Sequence, residues 1–224
     1  VSRGSFSAII LVVLSVAACQ ASPAAISRGE KISYCVSPAG NAEYEDLGLV
    51  DYRGRTYWLV TFRTSLTGFN DLEKIYADPD TGMPLIVERD VRWPLNREFL
   101  VEEYDSRNNS LVVRKYQNNK LSDELKFTSN GPYHNAILLP FYLRRVKDLH
   151  VGWSMVVRLR EEYTVTLVGI DEIKVNNTRM AAYHFTSKPE KFEIWVSKDD
   201  ERLPVLIKGT VGCSLSMLRH SGAD

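Results

Sequence analysis

The chain is short of the residues from which most enzymes assemble a site. Its 224 residues include three cysteines and four histidines. The histidines, His134, His150, His184 and His220, are scattered, with no His-x-x-x-His or His-Glu pair of the kind that holds a metal. No Gly-x-Ser-x-Gly elbow, Gly-rich phosphate loop or Cys-x-x-Cys occurs, so the common routes to nucleophilic, nucleotide and redox chemistry have no motif here. Asp78-x-Asp80-x-Gly82 resembles the opening of a calcium loop. Arg89 stands where the closing bidentate carboxylate belongs, and the segment therefore reads as a turn. The acidic pairs Glu102-Glu103, Glu161-Glu162 and Asp199-Asp200 are adjacent, which on a strand sends their side chains to opposite faces. Charge of one sign is also missing, since 28 Lys and Arg face 28 Asp and Glu. That balance lacks the basic field with which proteins hold nucleic acid. The expectation is a protein that is not an enzyme, with no cofactor, no metal and no nucleic-acid partner.

Long apolar runs are equally scarce. The longest, Phe6 to Val16, falls well below the roughly 20 residues of a membrane-spanning helix. It follows Arg3 and leads into Val16-Ala17-Ala18-Cys19, so residues 1–18 have the three parts of an export signal and Cys19 sits where a lipobox places its lipidated cysteine. Residues 19–28, containing Gln20-Ala21-Ser22-Pro23-Ala24-Ala25, read as a linker, and 29–220 as a single β-rich domain. Acyl chains on Cys19 would hold the protein on a membrane at about 0.8 kcal/mol per buried methylene. By the sorting convention of bacteria with two membranes, Gln20 points to an outer-membrane lipoprotein facing the periplasm, with the inner membrane as the alternative. In that oxidising compartment the remaining thiols, Cys35 and Cys213, are expected to form a disulfide. Closing so long a loop would restrict the unfolded chain by more than about 4 kcal/mol, and would set the first and last strands side by side or on facing layers.

From Glu30 onward the pattern has period two and is broken by turn residues every eight to twelve positions, the signature of an antiparallel all-β domain. Strands are expected at Glu30–Ser37, Ala42–Tyr52, Thr56–Ser65, Asp71–Ala77, Leu85–Arg92, Glu98–Asp105, Ser110–Gln117 and Glu124–Thr128. Six more follow at Ser154–Leu159, Tyr163–Val175, Arg179–Thr186, Phe192–Ser197, Val205–Gly209 and Cys213–Leu218. Arg53-Gly54, Asn118-Asn119 and Asn176-Asn177 supply residues that accept positive φ at hairpin tips. The one interruption is Asn135–Val146, where Ile137, Leu138, Phe141, Tyr142 and Val146 recur at roughly helical spacing and Pro140 forces a break or restart. It reads as a plug across the concave face of a curved sheet or half-barrel or over one end of a barrel, with a plain core helix as the competing reading. Leu139, Phe141 and Tyr142 on the plug, with Trp58, Phe62, Trp153 and Trp195 on or beside strands, are the candidate lining of an apolar pocket. Their competing role is ordinary sheet core.

Two hairpins resemble each other. Ile75 to Val87 lines up with Trp195 to Ile207, each an apolar strand, an acidic turn with a matched Asp (Asp80, Asp200), a matched Pro (Pro84, Pro204) and an aliphatic strand. Recurrence of one good hairpin design accounts for this, with duplication as the alternative.

The stretch from about Gly29 to Leu218 resembles the bacterial envelope family labelled domain of unknown function 3108. The residues that carry the likeness are Ser37–Gly40, the Asp80-Thr81-Gly82-Met83-Pro84 turn, Leu139–Arg144 followed by Val151-Gly152-Trp153, and Ile194-Trp195-Val196 with Arg202-Leu203-Pro204-Val205. The first hairpin is also similar to a turn in the lipoprotein-localisation LolA/LolB/RseB superfamily. That resemblance implies a strongly curved antiparallel half-barrel with a helical plug and an apolar concavity for acyl chains. This sequence departs from it in having a single convincing helical segment. The function expected is a membrane-anchored, non-catalytic binding module for a lipid or other apolar ligand in cell-envelope assembly or lipid handling. The alternative is an envelope scaffold that binds a protein partner through edge strands.

Overall fold

A computed structural model of the protein describes residues 29–209 and 213–222; the export signal, most of the linker and Cys19 lie outside the described residues. Strands form where the alternation is cleanest. The first half holds β1 (Lys31–Ser37), β2 (Gly40–Tyr52), β3 (Arg55–Leu66), β4 (Phe69–Ala77), β5 (Pro84–Trp93), β6 (Asn96–Asp105), β7 (Ser110–Gln117) and β8 (Lys120–Thr128). The second half holds β9 (Ser154–Arg158), β10 (Glu162–Val175), β11 (Thr178–Lys188), β12 (Phe192–Ser197), β13 (Pro204–Gly209) and β14 (Ser214–Ser221). Tight hairpins join most of them. Arg53-Gly54, Asn118-Asn119 and Asn176-Asn177 each place two successive residues at positive φ, the geometry that matches the twist of the flanking strands.

All fourteen strands belong to one antiparallel sheet in the order β8-β7-β6-β5-β4-β3-β2-β1-β14-β13-β12-β11-β10-β9. Two meanders therefore meet where β1 pairs with β14, at the centre of the sheet. The edges, β8 and β9, are consecutive in sequence, and the chain between them must travel from one edge to the other. It does so through the concavity of a strongly curved sheet. The His134 N–H donates to the Arg158 carbonyl at 2.6 Å, so this connection runs beside β9. On the far side Arg160 reaches Glu102 of β6 at 3.3 Å. The edges β8 and β9 do not pair, and the sheet stays an open half-barrel.

The plug helix is shorter than the periodicity suggested. Only α1 (Leu139–Leu143) is helical. Pro140 sits in its first turn, where the missing N–H has no helical partner to lose. Asn135 Oδ1 accepts from the N–H groups of Ile137 and Leu138 at 2.8 and 3.2 Å and so fixes the approach to the helix. α1 joins the two sides of the sheet. Leu138 and Phe141 belong to a core built mainly on β1–β5, with the Phe141 ring stacked on Tyr44 at 3.8 Å. Leu139 and Leu143 belong to a second core with Val165, Phe185 and Ile194 of β10–β12. Arg144, just beyond the helix, pairs at 2.7 Å with Glu30, a buried carboxylate that also meets His220 at 3.1 Å. This ties the plug to the junction of β1 and β14.

The first and last strands do lie side by side, but no disulfide joins them. Cys35 and Cys213 are both free and exposed. Cys35 faces Ser216 in the β1–β14 register, three positions from Cys213, or roughly 10 Å along a strand at about 3.3 Å per residue. That exceeds the Cα separation of about 7 Å that a disulfide can bridge.

The resemblance between the two hairpins extends to their pairing. In β4–β5, Ile75 opposes Val87, Tyr76 opposes Ile86, and a bulge brings Ala77 opposite Pro84. In β12–β13, Ile194 opposes Ile207, Trp195 opposes Leu206, and a bulge brings Val196 opposite Pro204. The second turn is one residue longer, so Ile75 corresponds to Ile194 and not to Trp195.

Candidate functional site

The concavity contains two cavities of opposite chemistry. The first, of about 200 Å³, is apolar. Tyr34 and Phe62 come from the first meander, Ile194, Ile207 and Leu215 from the second, and Ile137, Leu139 and Phe141 from the plug. Tyr34 can face it because its hydroxyl donates to the Pro204 carbonyl at 3.1 Å, which leaves only the ring toward the space; burial raises its pKa far above that of a free phenol.

Three of the seven expected lining residues, Leu139, Phe141 and Phe62, border this cavity. The other four have work elsewhere. Tyr142 donates to the Gly82 carbonyl at 2.6 Å. Trp58 is buried, donates to Asp46 Oδ1 at 2.7 Å and carries the Arg145 guanidinium 5.0 Å over its ring. Trp153 meets Phe185 edge-on in the second core, with centroids 6.2 Å apart. Trp195 stacks on His184 at 4.2 Å and donates to Asp171. It points away from the cavity, since its register neighbours alternate with Ile194 and Ile207. Sequence reading missed Tyr34, Ile194, Phe192, Ile207 and Leu215 because period two alone does not say which face of a strand is concave.

The second cavity, of about 460 Å³, is polar and shares Ala136, Ile137 and Leu159 with the first. Its walls are the inner faces of β4–β6 and the turn between β9 and β10. Arg89 Nε reaches both oxygens of Asp71, at 3.0 and 2.9 Å, and lies 3.5 Å from Glu73. Burial pushes the Glu73 carboxyl up to about 7 against the pull of Arg89, with Asp71 and Glu102 adding to the rise. Tyr104 donates to Glu102 at 2.5 Å, and Arg160 approaches the same carboxylate from the opposite edge. His134 Nδ1 accepts the Arg158 N–H at 3.2 Å. Desolvation, then the Arg158 charge, lowers its pKa to about 4, so the ring is neutral. None of the polar residues of this cavity was singled out from the sequence as lining, because a strand such as Asn70-Asp71-Leu72-Glu73-Lys74 carries charge on both faces and reads as solvated.

Asp78 is confirmed as a turn residue. Its Oδ1 accepts from the N–H groups of Asp80 and Thr81 at 3.2 and 3.0 Å, and its Oδ2 accepts from Arg55 at 3.3 Å. Among the described residues no cluster of His, Cys, Asp and Glu converges on a metal position, and no helix is long and apolar enough to cross a membrane.

Residues 43–214 match the family described as protein of unknown function, DUF3108. No curated protein matches the chain. Among solved structures, the beta-barrel-like protein of DUF1849 from Brucella abortus aligns over 89% of this chain and 100% of its own, with a TM-score of 0.52 and 7% identity. At that identity the likeness is one of fold.

Proposed function

The chain belongs to DUF3108, a family of unknown function, and from its concavity we propose that it is a non-catalytic lipoprotein that binds a lipid or another apolar ligand inside a curved sheet. In this reading Cys19 anchors it to the outer membrane, facing the periplasm, where it serves envelope assembly or lipid handling. The observation that carries it is the apolar cavity of about 200 Å³ between the two sides of the sheet. Well-packed domains keep few voids larger than a water, and a dry space of this size binds apolar molecules. The polar cavity beside it holds arginine–carboxylate pairs and a neutral imidazole, with no serine, threonine or cysteine among its lining residues.

Native mass spectrometry with lipid extraction on Cys19→Ser protein exported to the periplasm tests this reading. A co-purified lipid in stoichiometric amount is the expected result. A clean apoprotein mass that also ignores added lipid would overturn it. One observation favours a second reading: β8 is a sheet edge with nearly every residue exposed, a position at which a partner strand can add. Under that reading the protein is an envelope scaffold, and its edge engages another envelope protein.

A further inference from the structure

Building on the proposal that the apolar cavity takes a chain, we infer that the two cavities are halves of one site for a single-chain amphiphile with a zwitterionic head, its ammonium held by Glu73 and Glu102 and its phosphate by Arg160 and Lys191. Contact between the cavities is the first support. Ala136, Ile137 and Leu159 line both spaces, so an apolar site and a charged one meet along a shared border, as the two ends of an amphiphile require.

Size limits the tail. A space of about 200 Å³ is below the roughly 300–1,000 Å³ of common ligand pockets and equals about seven water molecules at about 30 Å³ each. It accepts one short chain or the end of a longer one, and excludes a pair of acyl chains.

Charge layering selects the head. Asp71, Glu73 and Glu102 are the deeper groups, with side chains 7%, 15% and 15% exposed, against one guanidinium, Arg89, among them. That excess of carboxylate is what an ammonium group would neutralise, and it adds to the burial that raises the pKa of Glu73. At the rim two cations, Arg160 and Lys191, outnumber one carboxylate, Glu161, which accepts from the Tyr163 hydroxyl at 2.8 Å. Arg160 is half exposed and reaches Glu102 only at 3.3 Å. Lys191 is exposed and has no ion-pair partner among the described residues. A phosphate at the rim with its ammonium directed inward satisfies both layers.

The test is displacement of a neutral apolar fluorophore, 1-N-phenylnaphthylamine, from Cys19→Ser protein by three lipids with the same short chain: lysophosphatidylethanolamine, lysophosphatidylglycerol and monoacylglycerol. The ethanolamine lipid is expected to displace the probe at about tenfold lower concentration than the other two, the scale of one charge-assisted contact. Glu73→Gln should erase that preference while the probe itself still binds. Equal displacement by all three lipids would overturn the headgroup assignment and leave the chain-binding reading intact. Failure of the probe to bind at all would remove both. The comparison among lipids uses the unaltered site, so it decides the matter even if the variant does not fold.

Discussion

Hairpins β4–β5 and β12–β13 have the same backbone and opposite chemistry. Their bulges, their prolines and three successive cross-strand pairs coincide. The difference comes two residues further from the turn on the concave face. There the first hairpin sets Glu73 opposite Arg89 and the second sets Phe192 opposite Gly209. Glu73 and Arg89 line the polar cavity and Phe192 the apolar one. The lesson is that the curvature of this sheet does not depend on what its inner face carries at that pair. One cross-strand position is free to set the chemistry of each wall, whereas the bulge and the proline, shared by both, belong to the shape.

The largest effect should come from removing what joins the two walls. Phe141 is buried and its ring lies on Tyr44, while its neighbour Leu139 packs on the opposite side. Phe141→Ala should cost about 3–5 kcal/mol, read as a fall in the urea midpoint. A loss near 1 kcal/mol would mean that the walls hold their spacing without the plug. The substitution would then be a clean probe of ligand binding.

Next in size is the pH dependence of the polar wall, which has no counterpart in the apolar one. Glu73 ionises near 4.5 in the unfolded chain and near 7 in the fold. The fold therefore keeps an extra proton between those values, and stability falls as pH rises through that window, by up to about 3 kcal/mol. His134 runs the other way. The unfolded imidazole takes its proton below 6.5 and the folded one only near 4, so stability falls as pH drops through that window by a similar amount. Between pH 4.5 and 6.5 the two slopes oppose each other. Glu73→Gln should unmask a stability that climbs with pH across that range, and His134→Gln one that declines. Chemical denaturation at pH 5 and 6.5 on both variants and the parent measures this; parallel profiles in all three would refute the assignment of either group.

A third experiment exchanges the chemistry of the walls directly. Phe192→Glu places a carboxylate against Ile194 and Ile207 with no guanidinium across from it. The expected cost is about 2 kcal/mol, with at least tenfold weaker binding of an apolar probe. Adding Gly209→Arg restores the cross-strand partner that Glu73 has in the first hairpin. It should return about half of the lost stability and none of the probe binding. A double-mutant cycle isolates that pair term.

Strand positions were legible because alternation and hairpin-tip residues repeat the same local logic fourteen times. Even the long β10 and the short β9 fall within a few residues of their expected limits. The meeting of β1 with β14 was anticipated for the wrong reason, through a disulfide that the register forbids. The helix was read too long because Ile137 and Leu138 keep helical spacing. Asn135, however, caps their N–H groups in a turn before the helix begins. The polar half of the site was hidden by the same alternation that revealed the fold. Asp71, Glu73 and Arg89 sit on strands with charge on both sides, and which side is concave depends on how two distant meanders close. The paired hairpins held a usable signal, since Glu73 occupies the place of an apolar Phe192 once the extra residue in the second turn is allowed for.

The smallest effect tests the two turns. At matched positions Gly82 has φ 70° and Arg202 has φ 49°, so both turns need a left-handed residue, and only the first uses the one that adopts it freely. Gly82→Ala should cost about 1 kcal/mol, helped by the tight fit of its new methyl 3.2 Å from the Arg145 guanidinium. Arg202 accepts the same backbone strain, and its guanidinium donates to the Val146 carbonyl at 2.5 Å, just beyond the plug. Arg202→Gly relieves the strain and loses that bond, two terms of about 1 kcal/mol each, so its stability should stay within about 0.5 kcal/mol of the parent. A gain of a full unit would mean that the bond to Val146 adds nothing and that the second turn tolerates its arginine without return. A loss of that size would make Arg202 part of what holds the plug against the apolar wall, the counterpart in a side chain of the bond that the Gly82 carbonyl accepts from Tyr142 of the plug.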